Sequence, residues 1–363
     1  MQNVREYSND ELVALVPLPA DDANKYSRGT LAAIVGSERY PGAACLAAYA
    51  GQRMGAGYTE VFTSPSAVPL VQGFRPSLVV RPRAALKANL PAAKPGKPRA
   101  YLVGCGFDAE DVEAEKLVHF VLKHADAPVL VDGTGLDALV SAKGRRLLRR
   151  RFLNGNPTVV TPHAGEAARL ARPFDLPVDD PCALAEALSL AYGVIAVVKG
   201  PVTYLSDGEQ TVRMAHGTPA LAKAGTGDVL AGMTAALLAQ GLDPFEASVL
   251  GAELHARAGL AAAARWSTIA ATAEDVVACI PRRHRRARER VILSERGFKT
   301  CRITRPFDTV VILSEGRRPE SKDDGETRGG RSYQWLTTTS PTLIRSYSST
   351  AFSGGRFTQP WLP

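Results

Sequence analysis

The sequence predicts a doubly wound α/β domain: a mostly parallel sheet with helices on both faces. Three observations predict it. Short runs rich in Val, Ile and Leu alternate with alanine-rich helical runs along the chain. The apolar runs are continuous rather than every-other-residue, as strands buried on both faces are. No internal repeat interrupts the alternation, so the units build one layered domain.

Each element follows from its composition. TLAAIVGS (30–37) is an apolar run closed by glycine and reads as a strand; GAACLAAYAGQRMGAG (42–57) is rich in helix-forming alanine. GYTEVFT (57–63) returns to β-branched and aromatic residues. RAYLVG (99–104), the helical EDVEAEKLVHFVLKH (110–124) and APVLVD (127–132) repeat the alternation. PTVVT (157–161), a short helical GEAARLA (165–171) and GVIAVVKG (193–200) repeat it again, and a hairpin-like VTYL follows. The domain is expected to run from residue 25 to about residue 280, after a lead of residues 1–24.

Composition bounds the function. With 363 residues and 45% hydrophobic content the chain can bury a large core. No window approaches a membrane span, and MQNVREYSNDEL lacks the apolar centre of a signal peptide. The five cysteines, Cys45, Cys105, Cys182, Cys279 and Cys301, are scattered and odd in number. That usage predicts a reduced, cytoplasmic protein without a disulfide framework or zinc site.

The net charge of +8 is unevenly placed. Residues 281–363 hold 17 Lys/Arg against 8 Asp/Glu, leaving 27 against 28 in residues 1–280. PRRHRRARER reads as a solvated extension of the last helix, and the polar, Gly/Ser/Thr-rich stretch from about residue 297 is expected to be disordered. Since the basicity belongs to the tail, nucleic acid is disfavoured as a partner.

Three strand ends carry candidate chemistry. In AKAGTGDVLAGMTAAL (222–237), Gly225, Thr226 and Gly227 stand at the entry of a helix. Converging N–H groups and the helix dipole make such an entry an anion nest suited to phosphate. Asp228 follows in the first turn. A carboxylate beside an anion does not bind it, so Asp228 is either a base that deprotonates an attacking hydroxyl or a helix cap. Lys199, Gly200, Pro201, Val202 and Thr203 sit where a buried strand ends, the place where open α/β sheets bind ligands; the alternative is an ordinary turn with an exposed lysine. In TPHAGE (161–166), His163 and Glu166 lie three apart. Glu166 reads either as a water-mediated magnesium contact or as half of a capping box.

These segments together resemble the ADP-dependent NAD(P)H-hydrate dehydratases, repair enzymes with a ribokinase-like fold. The matching stretches are KYSRGTLAAIVGSERYPGAACLAA (25–48), GAGYTEVF (55–62), LVGCGF (102–107), VLVDGTGLDAL (129–139), VVTPHAGEAARL (159–170), VVKGPVT (197–203) and AGTGDVLAGMTAALLAQGLDPFEA (224–247). The glycine turn alone fits any kinase of this fold; KYSRG, YPGAA and TPHAGE narrow it. The resemblance implies substrate contacts at Ala43, Gly106, His163 and Asp228, and adenine-nucleotide contacts at Lys199, Gly200, Pro201, Val202, Thr203 and Gly227. It also implies ADP as co-substrate, Mg2+ as cofactor, a homo-tetramer, and dehydration of the S-epimer of NADHX or NADPHX with release of AMP and phosphate. The rival reading is a small-molecule kinase of the same fold, of the thiazole or hydroxymethylpyrimidine type. The chain departs from the family pattern at Cys105 and Ala164, where proline is usual, at Pro201–Val202 in the nucleotide loop, and at Thr134, where a second carboxylate is usual.

Overall fold

Ten strands form one sheet in the computed structural model, which describes residues 4–87, 90–214, 216–280, 335–338 and 344–347. The strands are β1 (Val4–Arg5), β2 (Thr30–Ile34), β3 (Tyr58–Thr63), β4 (Val79–Pro82) and β5 (Arg99–Val103). They continue with β6 (Val129–Val131), β7 (Thr158–Val160), β8 (Ile195–Val198), β9 (Tyr204–Ser206) and β10 (Thr211–Arg213). Their order is β1-β10-β9-β8-β7-β6-β5-β2-β3-β4, and β9 alone runs against the rest. The chain builds outward from β2 to β4, then returns with β5 on the other side of β2. The gap between the ends of β2 and β5 is therefore a topological switch point, where ligands of such sheets bind.

The helices are α1 (Asn9–Ala14), α2 (Pro41–Arg53), α3 (Val68–Phe74), α4 (Val112–His124) and α5 (Asp137–Val140). After them come α6 (Ala142–Leu153), α7 (Ala164–Ala171), α8 (Pro181–Tyr192), α9 (Thr226–Ala239), α10 (Pro244–Trp266) and a last helical segment over residues 273–280. The sheet is covered on both faces, as the unbroken apolar strands require. Leu31, Ala33 and Val35 pack with α2, α9 and α10; Ala32 and Ile34 point the other way, into a core shared with α4, α6, α7 and α8. α9 is apolar on every side and is buried almost throughout.

Residues 1–24, read as a lead, supply β1, which adds to the sheet beside β10, and α1, which opens with a Ser8–Glu11 capping box. The proposed helical extension over residues 281–290 lies outside the described residues, as does most of the stretch expected to be disordered. Within that stretch Trp335–Thr338 and Ile344–Tyr347 pair as antiparallel strands, in a unit separate from the body. Among the described residues no helix is long and apolar enough to cross a membrane.

Candidate active site

The carboxyl ends of four adjacent strands deliver the site. Cys105 follows β5, Asp132 follows β6, Thr161 follows β7 and Lys199 follows β8. Lys199 Nζ donates to Asp132 Oδ1 at 2.9 Å and lies 4.0 Å from Glu166 Oε2. Thr161 Oγ1 donates to the same Asp132 oxygen at 2.6 Å. Burial works against the Lys199 charge, but Asp132 and Glu166 outweigh it and the ammonium's pKa is raised. The lysine side chain is 19% exposed. The reading of an ordinary turn with an exposed lysine is thus overturned: the carboxylates pull the ammonium inward.

α9 opens over this cluster. Its N-cap is Gly225, with φ +90°, and a Cβ there would lie 2.6 Å from Leu46 Cδ1. Only glycine fits that crowded, left-handed corner. Thr226, Gly227 and Asp228 then fill the first turn, whose N–H groups have no intrahelical acceptor. The Thr226 hydroxyl is turned away, 2.7 Å from the Leu221 carbonyl and 2.9 Å from that of Lys223. Thr226 therefore offers the nest only its backbone, whose N–H makes a long hydrogen bond to the Lys223 carbonyl at 3.4 Å. Asp228 is the third residue of α9, so it does not cap the helix.

Asp228 occupies an unusual electrostatic position. Its carboxyl is pushed up to about 7, first by burial and then by Asp132, with Lys199 and the Cys105 thiol pulling the other way. A base at that value is half-ionised at neutral pH, where proton abstraction works best. Cys105 Sγ and oxygens of Asp132 and Asp228 all lie within 4.8 Å of one another.

The predicted residues fall into two groups. Lys199, Gly200, Pro201, Val202, Thr203, Thr226, Gly227 and His163 line one cavity of about 880 Å³. Ala43 and Gly106 meet instead at the switch point. Gly106 has φ +64°, and a Cβ there would lie 2.4 Å from Ala43 Cβ and 2.9 Å from the Tyr40 carbonyl. Asp228, Gly225 and Glu166 are not among the lining residues of that cavity; an Asp228 oxygen lies within 4.8 Å of the sulfur of Cys105, the residue before Gly106. Among the lining residues that sequence reasoning misses are His216, Lys223, Leu221 and His255. The burial that pulls the His255 imidazole down to about 4 keeps it neutral.

His163 and Glu166 form the capping box weighed above. The His163 N–H donates to Glu166 Oε2 at 2.8 Å, and Gly165 N–H donates to His163 Nδ1 at 3.1 Å. The box does not exhaust the Glu166 carboxylate, whose Oε1 lies 3.4 Å from His163 Nε2. Lys199 already fills the cationic place between Asp132 and Glu166. Both Glu166 oxygens face protein partners, so a magnesium ion would meet Glu166 only through a water and would take its other ligands from phosphate rather than from an all-protein cage.

A glycine nest at a helix entry, a cavity at the strand ends and a carboxylate between them place the chain in the ribokinase-like class. A solved ribokinase-like protein of Enterococcus faecalis shares the fold at a TM-score of 0.66 and 23% identity, over 79% of this chain and 97% of that one. The family model for NAD(P)H-hydrate dehydratase matches residues 31–282, and the chain belongs to that family. It is 33% identical over 243 residues to the ADP-dependent (S)-NAD(P)H-hydrate dehydratase of Neisseria meningitidis, covering 66% of this chain and 79% of the relative. It is 26% identical to the ADP/ATP-dependent NAD(P)H-hydrate dehydratase of Bacillus subtilis co-crystallized with ATP/Mg2+, at a TM-score of 0.68 over 79% of this chain and all of that one. It spans about half the length of the bifunctional NAD(P)H-hydrate repair enzymes it also matches.

Proposed function

We propose that this protein removes water from the S-epimer of NADHX and NADPHX, consuming ADP and giving NADH or NADPH, AMP and phosphate. The observation that carries the reading is Asp228: a carboxyl held near neutrality in the first turn of α9, beside the nest and between the cavity and the Ala43–Gly106 corner.

The residues divide the work. The strand-end segment Lys199–Thr203 and the walls of the cavity hold ADP as co-substrate, with its terminal phosphoryl group at the N–H groups of Thr226 and Gly227. The substrate enters against Ala43, Gly106 and His163. Asp228 takes the proton of the substrate hydroxyl as that oxygen attacks the β-phosphorus of ADP, and the bond from that phosphorus to the AMP oxygen breaks. Charge accumulating on the phosphoryl oxygens meets preorganised N–H groups rather than water. The ring carbon then releases phosphate in place of hydroxide, the neighbouring carbon gives up a proton, and the ring double bond is restored. Magnesium, when bound, supplies charge neutralisation to the phosphates, with Glu166 orienting one of its waters. The Lys199 ammonium stays beneath the nest, where its charge holds Asp132 and favours ionised Asp228.

We also propose a cytoplasmic homo-oligomer, the tetramer that the resemblance implies. The test of function is direct. Purified protein incubated with ADP and the S-epimer of NADHX is expected to regenerate NADH absorbance with equimolar AMP and phosphate. A stable phosphorylated product without NADH would turn the assignment to the kinase reading.

A further inference from the structure

Cys105 stands in the site with no role in the mechanism above. It occupies the turn after β5, and its carbonyl accepts the Gly36 N–H at 2.8 Å, which fixes the backbone at the switch point. Its side chain is fully buried. Sγ lies 3.7 Å from Asp132 Oδ2, within the reach of a thiol hydrogen bond, and within 4.8 Å of an Asp228 oxygen.

The hydrogen bonding around it is unequal. Asp132 Oδ1 takes both Thr161 and Lys199, while Oδ2 has the Cys105 thiol. Burial beside two carboxylates raises the thiol well above its ordinary value, so it keeps its proton. A protonated thiol has one donor, and rotation about Cβ–Sγ turns it from the Asp132 oxygen at 3.7 Å toward the Asp228 oxygen within 4.8 Å. The charged and titratable groups facing Asp228 are Cys105 after β5, Asp132 after β6, Glu166 on α7 and Lys199 after β8. Among these, Asp132 and Glu166 oppose its ionisation, whereas Lys199 and Cys105 favour it.

We propose that Cys105 is a positioning residue for the general base: its S–H swings from Asp132 to Asp228 when Asp228 ionises, steadying the anion that accepts the substrate proton. The inference rests on the reading of Asp228 as that base. No covalent or redox step is involved, and the thiol proton stays on sulfur throughout.

The test is the pH dependence of kcat/KM with ADP and the S-epimer of NADHX between pH 6 and 9. Loss of a weak donor to a buried anion is expected to move the acid limb of Cys105→Ala upward by about 0.5–1 pH unit. The variant should then be about 3- to 10-fold slower than wild type at pH 6 and equal to it within twofold at pH 9. Cys105→Ser, which restores a donor, should return the limb toward the wild-type position. A packing role alone would lower activity equally at every pH. A second readout needs no variant of Cys105: in the wild-type protein an S–H stretching band should shift with the same midpoint as the acid limb, and this shift should vanish in Asp228→Asn. Superimposable limbs for wild type and Cys105→Ala, or no such band shift, would overturn the proposal and leave Asp228 standing as the base. Full activity of Asp228→Asn would instead remove the base itself, and the Cys105 proposal with it.

Discussion

A buried cation and a partly buried one stand at opposite ends of the same sheet, and their surroundings differ in kind. Arg151, on α6, lies at the amino ends of β6 and β7 and is 3% exposed. Its guanidinium donates to the carbonyls of Ala125, Ala127 and Pro157 at 2.7, 2.8 and 3.1 Å and to Thr158 Oγ1 at 2.9 Å. These acceptors are neutral, and burial pulls its pKa down to about 10. Lys199, at the carboxyl ends, faces carboxylates, and its pKa is raised. A cation satisfied by fixed dipoles clamps strands together and has nothing to exchange. A single cation among Asp132, Glu166 and Asp228 leaves an excess of acid groups, so one of them must hold a proton near neutral pH. A base works with that proton gone, and a carboxyl that gives it up near pH 7 can accept a substrate proton at neutral pH.

The sharpest way to break this contrast is to remove the titrating carboxyl. Asp228→Asn should lower kcat for NADH regeneration by about 10²–10⁴-fold, the range for loss of a general base. ADP affinity measured by calorimetry should change by less than about threefold, since the nest donates through its backbone. Near-normal turnover in this variant would leave the cluster as a structural salt-bridge network and erase the difference between the two ends of the sheet.

The next largest effect sets the cations directly against each other. Arg151→Met takes a donor from three carbonyls, of which that of Pro157 still accepts the Val129 N–H at 3.2 Å, and should cost about 3–5 kcal/mol in denaturant unfolding. Lys199→Met leaves carboxylates buried without their partner and should cost a similar amount at neutral pH. The pH dependence separates them. Carboxylates stranded by Lys199→Met take up protons in the native state, so the variant binds more protons folded than unfolded and its stability falls from pH 5 to pH 8. The stability loss caused by Arg151→Met should stay constant over that range, because its abandoned acceptors do not titrate. Parallel curves for the two variants would show that Lys199 is no more than a second clamp.

The comparison also explains what was legible in the sequence. The central strands were, because a strand buried on both faces must be apolar throughout, as TLAAI and VLV are. β4 was not: it is an edge strand with only Val80 buried, so its pattern is weak. α6 was hidden by its charge, since AKGRRLLRRRFL reads as a solvated run although Leu147, Leu148 and Arg151 are buried. The candidate site residues at strand ends could be picked out because glycine and proline punctuate them. Their partners could not. Lys199 and Asp132 are 67 positions apart, and their contact exists only because β6, β7 and β8 lie side by side. The Cys105 side chain likewise gains its meaning from the Asp132 and Asp228 oxygens around it, which no local spacing encodes.

The smallest effect expected is a gain. Asp228 has its folded pKa raised from 3.8 to about 7, so between those values the folded protein holds a proton that the unfolded chain has released. Stability then falls as pH rises through that window, and the loss is complete above about pH 8. Three units correspond to at most about 4 kcal/mol, and relaxation of the cluster reduces this. Asp228→Asn carries no such penalty. Its unfolding free energy should exceed that of wild type by about 1–3 kcal/mol at pH 8, with the excess shrinking toward zero near pH 4. Wild-type activity should move the opposite way, with kcat/KM rising through pH 7 as the base ionises. An Asp228→Asn protein no more stable than wild type at pH 8 would mean that Lys199 neutralises the carboxyl fully in the folded state. The carboxyl end of the sheet would then be as quiet electrostatically as the Arg151 end.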